Sequence, residues 1–194
     1  MKYMQLFTHN DLDGAACGIL AGLAADETGS YLEVEHCAVA GINNAVCAWM
    51  DNTRLDPKTE YLVLIADISV NEGVAKKLDH LMKRSKNLKG QMLDHHELEE
   101  SILRRPWVKV ETALEHCGTT LLYDWLTENG YLKDTAARSR FAQDVCLYDT
   151  WRFEKEGEGE TTNAEKLNIA YWLMGRDAFA DYMTGKLAET NAPE

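Results

Sequence analysis

The stretch Thr8-His9-Asn10-Asp11-Leu12-Asp13-Gly14 decides how this sequence is interpreted. The apolar run at 3–7 that precedes it is typical of a buried parallel strand. Behind Gly14, small and apolar residues recur at helical spacing, at Ala16, Ile19, Leu20 and Leu23. We therefore expect His9, Asp11 and Asp13 in the turn between a strand and a helix. In open α/β sheets, ligands bind at that carboxyl end of the strand.

One imidazole and two carboxylates at alternate positions of a single turn have two interpretations. The carboxylates repel each other, and divalent cations accept such a mixed set of nitrogen and oxygen donors. Asp and Asn also favour turns for purely local reasons, because their side chains bond to nearby backbone groups. From this stretch alone, a metal site and a simple turn both remain open.

The composition is that of a globular protein. The chain has 194 residues, of which 45% are hydrophobic and 27% charged, enough for one domain or one domain with an appendage. No apolar run reaches the roughly 20 residues that cross a bilayer, and the first residues lack the apolar core of a signal peptide. We therefore predict a cytoplasmic protein without a membrane partner.

Cysteine usage and charge restrict the function further. Five cysteines without close pairs favour reduced thiols over a zinc site or a disulfide framework. The 32 acidic and 20 basic residues give a net charge of −12. Such a body repels long polyanions, because Lys and Arg supply non-specific affinity for nucleic acid. A phosphate-containing substrate should therefore be short, and no long nucleic acid is expected.

Strand and helix patterns alternate through the first 130 residues, which favours a parallel sheet covered on both faces. A form resembling a capping box at 69–72 predicts the start of the helix that runs to Arg84. We predict an α/β fold with a mostly parallel five-stranded sheet and appended C-terminal helices. The predicted strands are 3–7, 32–39, 61–66, 90–93 and 107–110, and the predicted helices after the first are 44–50, 69–84, 118–125, 135–147, 164–174 and 178–187.

Three of the predicted strands end in carboxylates or histidines. His9, Asp11 and Asp13 follow the first strand, Asp67 follows the strand at 61–66, and Asp94-His95-His96 follows the strand at 90–93. Parallel strands bring these ends to one edge of the sheet. Turn preference explains one such acid but not the same pattern after three strands. Clustered carboxylates would also destabilise the fold unless cations were bound.

In chain order, His9–Gly14, Asp67, Asp94–His96 and Asp149-Thr150 resemble the four motifs of the DHH phosphoesterase superfamily. That family includes RecJ-type exonucleases, nanoRNA-degrading oligoribonucleases, cyclic-dinucleotide phosphodiesterases and family II inorganic pyrophosphatases. The helix start at Gly118 and the run 149–153 are most similar to the oligoribonuclease branch.

The resemblance implies a site with two divalent metal ions, usually manganese. The mixed histidine and aspartate set fits manganese better than magnesium, which prefers all-oxygen octahedra, and magnesium and cobalt are kept as alternatives. One ion would be held by His9 and Asp11, and Asp67 would bridge both ions. The residues implied for the second ion are Asp13, His95 and Asp149.

The resemblance also implies catalytic roles for His96, Asp67 and Asp94. His96 would face the scissile phosphate as a hydrogen-bond donor or general acid, and Asp94 would orient a histidine. Arg152 is the nearest candidate for a phosphate-binding arginine, and a surface ion pair is the alternative.

The implied function is manganese-dependent hydrolysis of short oligonucleotides or dinucleotides to nucleoside 5′-monophosphates. Two alternatives are kept: a pyrophosphatase-type phosphoanhydride hydrolase, and a non-catalytic nucleotide-binding module.

The sequence departs from the family in its second half. Most members carry a second domain with a glycine-rich, histidine-containing motif that grips the substrate, and we find no such motif here. We predict a catalytic domain at 1–153, an exposed loop or linker at 154–163 and a helical extension at 164–194. Three alternatives are kept: a truncated chain whose second domain completes the substrate cleft, a naturally short member, and a chain whose partner supplies the missing surface.

Other histidines and tryptophans are interpreted as structural. His36 and His80 lie on polar phases of their elements and are predicted to be surface residues, and His116 is predicted to be structural. Four tryptophans lie on strand or helix phases that suit packing, and the sequence does not identify any of them as a base-stacking residue: Trp107, Trp125, Trp151 and Trp172.

Overall fold

Five strands form one sheet in which every neighbouring pair is parallel. The computed structural model describes residues 1–153 and 161–189. The strands are β1 (Lys2–His9), β2 (Ser30–Cys37), β3 (Glu60–Ala66), β4 (Leu88–Asp94) and β5 (Val108–Val110). The predicted α/β fold with a five-stranded sheet is confirmed, and all four strand pairs are parallel.

The helices alternate with the strands as far as β5, and the described helices after β5 follow one another without a strand between them. Their bounds are α1 (Leu12–Thr28), α2 (Ile42–Asn52), α3 (Glu72–Arg84), α4 (Glu100–Leu103), α5 (Gly118–Glu128), α6 (Ala136–Asp149), α7 (Asn163–Met174) and α8 (Arg176–Glu189). The short helix α4 has no counterpart among the predicted elements.

Successive residues of the central strands enter two separate cores, one on each face of the sheet. Leu62 and Leu64 of β3 belong to the core that contains α1 and α5, whereas Val63 and Ile65 belong to the core that contains α2 and α3. This alternation follows from the period of two in a strand. It explains why β3 is a continuous apolar run: both of its faces are covered by helices.

The C-terminal helices belong to the same core as α1. Tyr171 of α7 and Phe179 and Leu187 of α8 are buried there. The Tyr171 hydroxyl also donates a hydrogen bond to the backbone carbonyl of Asn10 (3.0 Å), which fixes α7 beside the turn between β1 and α1.

The strand order is β2-β1-β3-β4-β5, so the direction of winding reverses between β1 and β3. In open α/β sheets, ligands bind in the crevice outside the carboxyl ends of the strands at such a switch point. His9 and Asp67 end or follow these two strands, and Asp94 ends the next strand. The topology therefore brings the predicted site residues to one edge of the sheet.

Two local predictions change on comparison with the structure. The capping box at 69–72 is wrong, because α3 begins at Glu72 and its N-cap is Asn71, whose side chain accepts a hydrogen bond from the Val74 amide (2.9 Å). Helix α6 extends to Asp149, which therefore lies in the last helical turn and not behind the helix.

Most of the predicted linker at 154–163 lies outside the described residues, which resume at 161. None of the described helices is both long and apolar enough to cross a bilayer. All five cysteines are free, as the absence of close pairs predicted.

Candidate metal centre

The turn from β1 to α1 uses the same residues for local structure that the sequence suggested as ligands. Asp11 is the N-cap of α1, and its Oδ1 accepts a hydrogen bond from the Gly14 amide (3.0 Å). Its Oδ2 lies 2.6 Å from His9 Nδ1. A Cβ on Gly14 would lie 2.0 Å from the His9 carbonyl oxygen, so only glycine fits there. The turn interpretation is thus correct for Asp11. The same turn brings the His9 imidazole and the Asp11 carboxylate into contact.

Asp13 is completely desolvated and bound to the start of α5. Its Oδ2 accepts from the Gly118 amide (2.7 Å), and its Oδ1 accepts from the Thr119 amide (2.8 Å) and the Cys117 thiol (3.0 Å). The side chain is fully buried. The unpaired amides of a helix N-terminus and its dipole favour a negative charge, so α5 stabilises Asp13 as a carboxylate.

Asp67 is held in a strained conformation against the same helix. It follows β3 with φ at 61°, in the left-handed region that a non-glycine residue rarely adopts. A Cβ on Gly118 would lie 2.2 Å from the Asp67 Cβ. Gly118 therefore lets α5 approach close enough to contact Asp13 and Asp67 together. Such strain is often found at functional sites.

The two adjacent histidines behind β4 have different environments. Asp94 Oδ1 accepts from the His95 amide (2.8 Å) and contacts His96 Nδ1 (2.8 Å). This hydrogen bond raises the pKa of His96, whereas burial lowers the pKa of His95. His95 is thus favoured as a neutral imidazole, the form that binds metals, while the half-exposed His96 is favoured as a proton donor.

His95 lies at the centre of three carboxylates. Its Nε2 is 3.4 Å from Asp67 Oδ1, 3.5 Å from Asp149 Oδ2 and 4.0 Å from Asp13 Oδ2. It nevertheless makes no hydrogen bond to any of them. Asp149 reaches this point from the last turn of α6.

The converging side chains form three groups in which one possible ligand atom per residue lies within 4.8 Å of the others. All six predicted metal ligands belong to at least one group, and Asp67 and His95 each belong to two groups. The groups are His9/Asp11/Asp67, Asp13/His95/Asp149 and Asp67/His95/His96.

The donor chemistry of this cluster fits divalent cations. In the described part of the chain, six buried side-chain nitrogen or oxygen atoms lack a hydrogen-bond partner. Three of the six belong to these groups: Asp67 Oδ2, His95 Nε2 and Asp149 Oδ2. A fourth is Oδ2 of Asp94, the residue that contacts His96. Buried polar atoms are almost always satisfied, so an unpaired group calls for a water molecule or an ion. Burial, followed by the charge of Asp13, raises the pKa of Asp67 far above its usual range and that of Asp149 to about 8.

Other predicted residues lie beside the cluster and do not join these groups. The Arg152 guanidinium contacts Thr150 Oγ1 (3.0 Å) and Cys146 Sγ (3.7 Å) at the end of α6, and its phosphate contact stays a prediction. His80 is exposed, as expected. His36 is not a simple surface residue, because it is partly buried and its Nδ1 lies 3.0 Å from the His9 carbonyl oxygen.

The packing role predicted for two tryptophans is wrong. Trp151 is 65% exposed and Trp172 is 74% exposed, and both line a cleft beside Asp149. An apolar phase on a helix does not reveal whether another element covers it. For Trp151 the sequence held one indication against a simple packing role, because this residue follows a helix end, where glycine is the usual residue.

Comparison with known proteins connects this arrangement to a family. The chain is 31% identical over 187 residues to oligoribonuclease NrnB of Bacillus subtilis (strain 168). This similarity supports the resemblance of the four motifs to the DHH phosphoesterase superfamily. The alignment covers 94% of this chain but 45% of the relative, so the chain spans less than half of that protein's length. No protein-family model matches the chain.

Three crystal structures share the fold at low sequence identity. An uncharacterized protein from Helicobacter pylori G27 has a TM-score of 0.68 at 18% identity, over 95% of this chain and 55% of that chain. RecJ in complex with Mn²⁺ from Thermus thermophilus has a TM-score of 0.56 at 14%, over 96% and 34%. CDC45 from Entamoeba histolytica has a TM-score of 0.52 at 10%, over 94% and 34%.

Metal should stabilise the protein more at alkaline than at acidic pH. The pKa of the Asp149 carboxyl has its ordinary value of 3.8 in the unfolded chain and is raised to about 8 in the folded protein. Between these values the folded state binds more protons, so the metal-free protein loses stability as pH rises. A divalent cation binds the ionised carboxylates and removes this cost. We expect Mn²⁺ to raise the Tm, relative to chelator, more at about pH 8 than at about pH 6.

An equal or smaller Tm shift at the higher pH would contradict this explanation. Asp149→Asn serves as the control, because it removes the titrating carboxyl and should reduce the pH dependence of the metal-free protein.

Gly118→Ala should disrupt the attachment of α5 to the cluster. Its Cβ would overlap Asp67 backbone and side-chain atoms, and such overpacking costs about 1–3 kcal/mol or more. Gly22→Ala is the matched control, because nothing lies within 4 Å of a Cβ there and alanine in a helix interior gains about 0.5–1 kcal/mol. Urea unfolding of both variants measures the difference, and equal free energies of unfolding would refute the close-approach role of Gly118.

Proposed function

We propose that this chain is a divalent-metal-dependent phosphodiesterase that hydrolyses short oligonucleotides or dinucleotides to nucleoside 5′-monophosphates. The observation that supports it most is the convergence of two complete groups of donors, His9/Asp11/Asp67 and Asp13/His95/Asp149, on unpaired buried atoms. Two further facts support it: a relative named oligoribonuclease NrnB, and a fold shared with a RecJ that was crystallised with Mn²⁺.

The residues proposed to hold the ions are those predicted from the motifs. His9 and Asp11 would hold one ion, Asp67 would bridge, and the remaining ligands are Asp13, His95 and Asp149. Manganese suits the mixed nitrogen and oxygen donors, and Mg²⁺ or Co²⁺ are the next candidates. When bound, such cations neutralise phosphate oxygens and lower the pKa of a water molecule so that it attacks near neutral pH.

The protein's own groups orient and protonate the substrate. Asp94 Oδ1 holds His96 Nδ1, which leaves Nε2 as the nitrogen that donates to a phosphate oxygen or to the leaving group. The amides of α5 hold Asp13 in place without a lysine or arginine. The carboxylate array is therefore preorganised, so little reorganisation is needed when the phosphate enters.

Charge argues for a short substrate. A net charge of −12 repels a long polyanion, whereas a dinucleotide places few phosphates near the protein. We place the protein in the cytoplasm, where short RNA fragments arise. In this proposal 1–153 is the catalytic domain and 164–194 a helical extension, and a second domain or a partner completes the cleft.

The discriminating experiment compares two substrates in parallel. A pApA-type dinucleotide and pyrophosphate are incubated with Mn²⁺ and with chelator. We expect mononucleotide from the dinucleotide only when metal is present. Orthophosphate from pyrophosphate would favour the pyrophosphatase alternative. Nucleotide binding without turnover in saturating Mn²⁺ would favour the binding module.

His95→Ala and Asp149→Asn should each lower kcat/KM on the dinucleotide by more than the roughly 10–100-fold that loss of a supporting contact typically costs. Both residues belong to one donor group, so either change removes a ligand. His80→Ala is the control, because His80 lies on the exposed side of α3, and we expect unchanged kinetics. Full metal-dependent activity in either site variant would remove that residue from the ligand set.

A further inference from the structure

A cleft of about 240 Å³ opens directly beside the candidate metal centre. Asp11, Asp13 and Asp149 form part of its lining, together with aromatic side chains of α6, of α7 and of the segment between them. This volume is below the roughly 300–1,000 Å³ of sites for drug-sized ligands. The cleft therefore suits one planar ring system attached to a phosphate at the carboxylates.

Two tryptophans face solvent in this cleft. Trp151 is 65% exposed and Trp172 is 74% exposed, whereas Trp49 and Trp107 are each 8% exposed. Trp151 packs on Tyr148 with ring centroids 6.2 Å apart at an interplanar angle of 28°. The Trp151 ring therefore packs against another aromatic side chain that also lines the cleft.

Trp151 occupies a left-handed backbone position that the end of α6 creates, where a tryptophan is strained and glycine is the usual residue. Helix α6 ends in a Schellman motif: the Trp151 amide donates to the Tyr148 carbonyl (3.1 Å), and the Arg152 amide donates to the Leu147 carbonyl (3.0 Å). The residue after the C-cap Thr150 adopts a left-handed conformation, with φ at 55°. Glycine is the usual residue at that position. Within residues 1–153 and 161–189, Asp67 is the one other non-glycine residue with positive φ.

Polar groups accompany the aromatic surface. Asn168 Nδ2 donates to the Tyr148 hydroxyl (2.6 Å), so the amide oxygen and the second amide hydrogen of Asn168 are available for the edge of a base. The bond from Tyr171 to the Asn10 carbonyl fixes α7, and with it Trp172, relative to the turn that carries Asp11.

We propose that this cleft is a nucleobase subsite, in which a base of the substrate stacks on Trp151 and Trp172 and Asn168 bonds to its edge. The proposal rests on the phosphodiesterase function proposed above, because the base is positioned by its phosphate at the cluster. Stacking on aromatic side chains tolerates any base.

The test measures KM and kcat for a pApA-type dinucleotide and for its abasic analogue, in which ribose replaces each adenosine. The variants are Trp151→Gly and Trp172→Ala, and Leu173→Ala, on the same helix and 82% exposed, is the matched control. We expect each tryptophan variant to raise KM for the dinucleotide about tenfold with kcat nearly unchanged. KM for the abasic analogue should not change, and Leu173→Ala should alter neither substrate.

Trp151→Gly separates a binding role from a structural one. Glycine adopts the left-handed conformation without strain, so the variant should melt at the same temperature as the wild type or higher while KM rises. A lower Tm with unchanged KM would overturn the proposal. A changed molecular mass of Trp172→Ala in size-exclusion chromatography with unchanged KM would also overturn it, in favour of a protein interface.

A second measurement does not depend on turnover. AMP should quench tryptophan fluorescence in the wild type and quench it less in both tryptophan variants. If the wild type hydrolyses neither substrate, the proposed function fails. The quenching experiment then still determines whether the cleft binds a nucleobase. Hydrolysis with unchanged KM in the tryptophan variants, or no AMP quenching in the wild type, overturns the subsite.

Discussion

The structure depends on the convergence of several carboxylates at one desolvated edge of a parallel sheet. Asp13 and Asp67 are almost fully buried, and Asp149 lies 3.5 Å from the same imidazole that faces them. Like charges at low dielectric raise one another's pKa and oppose folding. The described residues place no lysine or arginine in an ion pair with these carboxylates. The close approach of these buried carboxylates is therefore explained only if cations offset their charge.

Backbone groups offset part of the unfavourable free energy of burying these carboxylates. Helix α5 directs its first amides to Asp13, so the helix N-terminus supplies the positive potential that a basic side chain would otherwise supply. Gly118 makes the approach possible, and Asp67 adopts a left-handed backbone conformation at the same contact. Fixing the carboxylates before a ligand arrives is the preorganisation on which electrostatic catalysis depends.

The sequence predicted the sheet and the convergence at its edge for identifiable reasons. Continuous apolar runs mark strands that are buried on both faces, and parallel connections place all their carboxyl ends together. His9, Asp67 and Asp94 follow from that rule alone. The four motifs in order added Asp149, which lies on a helix outside the strand pattern.

The remaining features depend on contacts that no local pattern encodes. The bonds from α5 to Asp13 join residues more than 100 positions apart. Whether the apolar face of α7 is covered depends on which elements pack against it, so the exposure of Trp172 could not be read from its spacing. The left-handed conformation of Trp151 follows from the end of α6, which extended two residues beyond its predicted limit.

Counting bound Mn²⁺ per chain by isothermal titration at neutral pH, without any substrate, tests the central claim most directly. This account predicts two ions per wild-type chain. It also predicts that Asp67→Asn weakens both, because Asp67 is the ligand proposed to bridge the two ions. A wild-type chain that binds no Mn²⁺, or an Asp67→Asn variant that binds two ions with undiminished affinity, would contradict it.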